Sequence, residues 1–346
     1  RAWRGWLRVD GAALMLLVAS LLVVIWGGGA LLRLSAQRRV AAMAAVWALV
    51  VLTHLILPPE AGLRLATGGD ANNEAVALAK LGNRVGLIGM VGDDVQGQFI
   101  RDQLARAGVG TEGLFVKPGQ ATATGVVMIL DGGEHCFITP HSRSHAELGP
   151  EHVDLSLVKP GLKALSIASL FTSERFDRRA VADLLSKARS VGALTFADFV
   201  MDQQGYGLDD LADIWPHLDW VLPSELEAQV FTGTKDPASV AQDFRRRGVR
   251  NVVLKRGAAG AIAFTEAGTF AAPAFKVEVA DTTGAGDNFV AGFIHGIVHH
   301  MPVPDALRFG SAVAAMSVQA VGAGAGLKDL AQVGSFLAQD PATLTD

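Results

Sequence analysis

Cysteine is almost absent: Cys136 is the single one in 346 residues. A disulfide within the chain is therefore excluded, and the chain reads as a protein of a reducing, cytoplasmic setting. His135 and Phe137 continue a strand pattern around Cys136, which predicts a buried structural thiol rather than a nucleophile. An excess of positive charge is missing too. Lys and Arg number 30 against 34 Asp and Glu, a formal net charge of −4, which argues against nucleic acid as the main partner. The one dense basic stretch, Arg245 to Arg247 with Arg250, falls at the end of a predicted helix, where cations complement the dipole. There is no Gly-x4-Gly-Lys-Ser/Thr loop, so a Walker-type NTPase is not supported. Gly108-x-Gly110-x-x-Gly113 satisfies the dinucleotide pattern but follows a predicted helix instead of a strand. His295 and His299 have i, i+4 spacing without the Glu that a zinc protease places after the first His, and read as core or rim histidines.

The first 60 residues lack Lys, Asn, Phe and Tyr altogether, yet hold six Arg and four of the six Trp. Two uncharged runs, 11–32 and 40–57, are long enough to be membrane spans. Arg1, Arg4 and Arg8 precede the first run, and Arg33, Arg38 and Arg39 separate the two. A hairpin leaving the rest of the chain in the cytoplasm would place the second cluster outside, against the positive-inside tendency. A signal peptide fits poorly, because there are two long runs and no clear cleavage site. Pro58, Pro59 and Gly62 mark a boundary, dividing the chain into 1–62 and 63–346.

From 63 onward, apolar runs alternate with amphipathic stretches. Strands are expected at 85–90, 164–168, 193–196, 220–222, 251–255 and 261–264, and a hairpin of 124–130 with 136–139 about Asp131-Gly132-Gly133-Glu134. Helices are expected at 73–81, 96–107, 178–190, 224–231, 237–247, 287–299 and 304–321. Such alternation predicts an α/β fold, a mostly parallel sheet covered on both faces.

The stretch 281–287 reads Asp-Thr-Thr-Gly-Ala-Gly-Asp. Residues 276–279 alternate as a strand would, and an apolar helix comes after it, so Gly284, Ala285 and Gly286 fall at a helix start, where free amides can face an anion. Asp287 stands beside them as a carboxylate able to take a proton from an attacking hydroxyl. A phosphate cradle beside a base is equipment for phosphoryl transfer.

Asp281-Thr282-Thr283-Gly284-Ala285-Gly286-Asp287 resembles the C-terminal signature of the PfkB-type sugar kinases, the ribokinase family. Gly68-Gly69-Asp70-Ala71-Asn72-Asn73-Glu74-Ala75 with Lys80-Leu81-Gly82 is similar to the N-terminal motif of that family, and Val91-Gly92-Asp93-Asp94 with Gly97 to the pattern after it. The resemblance covers about 63–340 and implies a three-layer α/β/α ribokinase-like fold with a mostly parallel central sheet and a small β lid. It implies an ATP-dependent sugar kinase: Asp287 as base, and Gly284, Ala285 and Gly286 with the Asp287 amide as the anion hole. Gly69, Asp70 and Asn73 align with sugar-contacting positions. Ser224-x-x-Glu227 resembles the Asn-x-x-Glu motif that organises Mg2+ and phosphates, with Ser in place of Asn. Lys255, Gly257 and Gly260 resemble the loop lining the ATP site. Asp281 and Thr283 match part of a monovalent-cation site, K+ in several relatives, whose remainder is expected near 320–324. Pairing through lids implies a homodimer.

The family opens with a strand carrying Asn-x-Asp about 25 residues before the Gly-Gly pair, and this chain shows only Asp10, far upstream and followed by an apolar run. Residues 1–62 admit three readings: a membrane anchor on a truncated kinase, a buried apolar extension, or GC-rich DNA read out of frame. Membrane contact belongs only to the first. Without that strand a sheet edge is exposed and the sugar loses a carboxylate, so weak kinase activity is expected. A nucleoside kinase, or a sugar- or nucleotide-binding protein with impaired catalysis, are the alternatives.

Overall fold

Helix-forming and strand-forming stretches alternate through the chain, and the computed structural model folds them accordingly. It describes residues 64–129, 135–138, 147–170, 175–176, 178–200 and 207–339. The runs 11–32 and 40–57, Asp10 and the hairpin turn at 131–134 lie outside the described residues. Thr67–Ile138 and Ser142–Asp346 form one compact unit, which holds every described helix and strand. Among the described residues no helix is long and apolar enough to cross a membrane.

In chain order the elements are α1 (Asp70–Lys80), β1 (Gly89–Gly92), α2 (Val95–Arg106), β2 (Leu114–Lys117), β3 (Val126–Ile129), β4 (His135–Ile138), β5 (Ala164–Leu170), α3 (Arg178–Ser190), β6 (Leu194–Phe199), β7 (Trp220–Val221), α4 (Glu225–Thr232), α5 (Pro237–Arg246), β8 (Asn251–Lys255), β9 (Ala261–Thr265), β10 (Gly268–Ala272), α6 (Ala285–Val298), α7 (Val303–Ser317) and α8 (Leu330–Ala338). Six strands make one sheet in the order β10-β9-β8-β7-β6-β5. β5 to β8 are parallel, while β9 and β10 join antiparallel. β1 and β2 pair in parallel, and β3 and β4 antiparallel, each as a separate two-stranded sheet.

Period-2 alternation explains the three layers. Ala197, Val221, Val252 and Leu254 point into one core with Leu185 of α3 and Phe244 of α5. Their neighbours Phe196, Trp220, Leu222 and Val253 point the other way, onto Phe289, Phe293 and Leu307 of α6 and α7. A strand apolar on both faces needs helices on both. Each Val, Leu or Phe among them contributes about 1.5–3 kcal/mol when fully buried.

Several local expectations are corrected. α1 starts at Asp70, ahead of the expected 73, because Gly69 (φ 93) turns the chain into the helix there. Residues 276–279 form no strand. β10 already ends the sheet on that side, and the chain leaves it so that the Ala280 and Asp281 amides reach the Val318 carbonyl at 2.8 and 3.2 Å. β2, β10 and α8 were not anticipated. Cys136 is exposed rather than buried. It lies in the separate β3–β4 ribbon, and a two-stranded ribbon has no interior of its own.

Candidate active site

The first turn of α6 is open. Its N-cap, Gly284, has φ 72 and ψ 8, a left-handed conformation that suits glycine, and no side chain caps the helix. A Cβ on Gly284 would come within 2.8 Å of the Ala323 Cβ. The Ala285 amide donates to the Thr282 carbonyl at 3.2 Å, but among the described residues the Gly286 and Asp287 amides meet no acceptor. Two orphan N–H groups at the positive end of a 14-residue helix suit an anion, and the residues present therefore fit a phosphoryl group.

Asp287 lies in the same turn, 8% exposed, and its Oδ2 accepts from Asn73 Nδ2 at 2.7 Å. This bond joins the two signature segments across 214 residues. α1 is likewise uncapped by any side chain at Gly69, and Asp70 in its first turn accepts from the Ser169 hydroxyl. Burial pushes the Asp287 carboxyl up to about 7, and Asp70 adds to this; the Asn73 hydrogen bond pulls it back, Asp198 raises it and Lys255 lowers it. A buried carboxylate poised near neutrality suits a general base.

Ser224, Glu227, Lys255, Gly257 and Gly260 gather at the carboxyl ends of β7 and β8, where ligands of open α/β sheets bind. Ser224 forms a single parallel bridge to Lys255, whose ammonium ion-pairs with Asp198. Burial opposes the Lys255 charge, but Asp198, then Glu227 and Asp287, outweigh it and hold the ammonium above its ordinary value. Ser224 and Glu227 form a capping box: Glu227 Oε2 accepts from the Ser224 amide at 2.8 Å and from its hydroxyl at 2.6 Å. Gly257 is exposed with open space beside it, as a loop approached by a ligand would be. Gly260 has a structural cause, since a Cβ there would sit 2.0 Å from the Ala272 carbonyl oxygen. Asp281 is buried and accepts from the Thr283 amide at 2.9 Å and the Gly322 amide at 2.8 Å, so the 320–324 stretch does lie against the cradle loop. The Thr283 hydroxyl oxygen is buried without a hydrogen-bond partner.

Sequence reasoning missed two groups at this site. Asp198 follows the strand stretch 194–197 at the mouth of the sheet, a signal that was available; burial pushes it up to about 6 against the pull of Lys255. Glu74 is buried in α1, with Oε2 accepting from Ser166 at 2.8 Å and Oε1 unpartnered. Burial, with Asp198 and Asp287 nearby, raises its carboxyl well above the usual range.

A family model described as pfkB family carbohydrate kinase matches residues 54–330. The 5-dehydro-2-deoxygluconokinase of Geobacillus kaustophilus is 28% identical over 285 residues, covering 79% of this chain and 84% of its own. That of Listeria monocytogenes is 29% identical over 268 residues, covering 72% and 80%. The solved structure of a Ribokinase II from E. coli in complex with ATP and Mg2+ has a TM-score of 0.71 at 25% identity, covering 82% of this chain and 94% of its own. The fold is thus ribokinase-like, and the chain belongs to the pfkB family of carbohydrate kinases, phosphotransferases that act on a sugar hydroxyl.

Proposed function

We propose that the chain transfers the γ-phosphoryl group of ATP to a hydroxyl of a small sugar or sugar acid, with Asp287 as the base. The observation that carries this is the first turn of α6, which sets two free amides beside a carboxylate held by Asn73. The hydroxyl oxygen attacks the γ-phosphorus, its proton passes to Asp287, and the bond to the leaving ADP oxygen breaks. The Gly286 and Asp287 amides take the charge on the transferred group. Gly69, Asp70 and Asn73 are the residues offered to the sugar. The relatives from Geobacillus and Listeria carry names that point to a ketodeoxy sugar acid, and that class is the first to test.

Lys255 and Gly257 are assigned to ATP. Gly260, whose backbone contact with Ala272 explains it, shapes that loop. Among the described residues no cluster of three or more metal-binding side chains occurs, so Mg2+ would arrive chiefly on the nucleotide, neutralising its phosphates. Glu227 is the residue offered to it, indirectly, and Ser224 holds Glu227 in place. The buried, unpartnered Thr283 hydroxyl beside Asp281 keeps K+ in the reading.

A coupled ADP-release assay over sugar acids, sugars and nucleosides tests the acceptor. Asp287→Asn should lower kcat by about 10²- to 10⁴-fold while ATP binding changes by less than about threefold. Unchanged turnover in that variant would refute the assignment of the base.

A further inference from the structure

We propose that Lys255 is a catalytic residue that takes up charge on the phosphoryl group during transfer, and that Asp198 is its positioning residue. This rests on the proposed roles of Asp287 and its cradle. The Lys255 ammonium lies 3.4 Å from the place a Cβ on Gly286 would occupy, and its Cε 3.9 Å. It therefore stands over the same helical turn that presents the two free amides. A lysine at the end of a strand ordinarily extends its ammonium into water. This one stays in, its side chain 14% exposed, against an Asp198 side chain 5% exposed.

Stability is weak ground for keeping such a pair. Two charges taken out of water lose much of what their attraction returns, and an apolar pair of similar size often holds a sheet as well. Topology gives a second reason. Lys255 ends β8 and Asp198 nears the end of β6, and β7 lies between them. The pair reaches across the short β7 at the carboxyl edge of the sheet, where the cradle also lies. Asp198 neutralises the ammonium before a phosphate is present and fixes its direction. An ammonium has three N–H donors, so one can stay with Asp198 while another meets a phosphoryl oxygen. In the transfer itself Lys255 keeps its proton. The attacking hydroxyl gives its proton to Asp287, the new P–O bond forms, and the electron pair of the broken bond leaves with ADP.

The test uses the full chain and the acceptor that supports turnover, with Asp287→Asn as the reference. Lys255→Met should lower kcat by about 10²- to 10³-fold, the cost of losing one well-placed donor, with ATP affinity changed by less than about fivefold. Lys255→Arg should recover part of that loss. Asp198→Asn should lower kcat by roughly tenfold at nearly constant KM for ATP, and Asp198→Glu should restore it. Lys255→Met leaves a buried carboxylate unpaired and can fail to fold. The double variant Lys255→Met/Asp198→Asn removes that burden, and should regain the wild-type Tm but not kcat. A double variant with wild-type kcat, or Lys255→Met within threefold of wild type while Asp287→Asn is inactive, would overturn the proposal and leave the pair structural. Turnover retained by Asp287→Asn would instead strike the assignment of the base, a separate failure.

Discussion

Helices α4 and α6 both start where the chain has left the sheet, and their first turns are built in opposite ways. At α4, Ser224 accepts from the Glu227 amide while Glu227 accepts from Ser224, so the turn closes on itself. At α6 the cap is Gly284, no side chain reaches the amides, and those of Gly286 and Asp287 stay free among the described residues. α2, α5 and α8 resemble α4, each capped by an Asp side chain, Asp94, Asp236 and Asp329. α7 starts after Pro302 with a second proline in its first turn, which leaves fewer amides to satisfy. The glycine-started helices α1 and α6 are the two joined by Asn73 and Asp287. A helix start that satisfies its own donors serves the fold, whereas one that leaves them open near a buried carboxylate is equipped for an anionic ligand.

Of the changes that test this contrast between turns, filling the open one should have the largest effect. Gly286→Ala adds a methyl at ordinary contact distance from Lys255, in a helix that tolerates alanine, so Tm should change by less than about 2 °C. Activity should fall by about 10²-fold, because the methyl occupies the space above the amides. Wild-type kcat in that variant would break the contrast between the two turns.

The next effect is on pH. As the proposed base, Asp287 must be ionised to accept a proton, and its carboxyl is pushed up to about 7 by burial first. Activity should therefore be full above that pH and fall roughly tenfold per unit below it. A kcat/KM profile flat from about pH 5 to 8 would show that another group is the base.

The smallest effect belongs to the closed turn. Ser224→Ala removes a cap and should cost about 1 kcal/mol, or about 2–4 °C in Tm, with kcat within about threefold of wild type. A large loss of activity at unchanged Tm would show that Ser224 meets the nucleotide directly.

The open turn of α6 was readable along the chain because its features are local: small residues that permit a left-handed turn, an Asp after them, and an apolar helix beyond. The first turn of α1 was not, since the apolar spacing points to a start at 73 and the left-handed Gly69 sets it at Asp70. The strands at 164–168 and 251–255 stood out as apolar runs, and α3 as an amphipathic one. β2 did not, since four residues become a strand here through a parallel partner, β1, that is distant in sequence. The expected strand at 276–279 failed on the converse ground, an extended pattern with no ladder to join. Ser224 and Glu227 match the capping-box spacing as well as a phosphate motif, and their hydrogen bonds account for the first of these.

The identity of the chemical groups was written in the chain: a carboxylate after a small-residue turn, a Gly-Gly pair followed by Asn, and the alternation of an α/β sheet. Their separations were not. Asn73 meets Asp287 because α1 packs against α6, and Lys255 meets Asp198 because the sheet order sets β8 two strands from β6. Local backbone preference depends on neighbouring residues and can be read from them. The distance between two buried charges, and hence their pKa values, depends on strand order and packing across the whole core, which no neighbouring residue records.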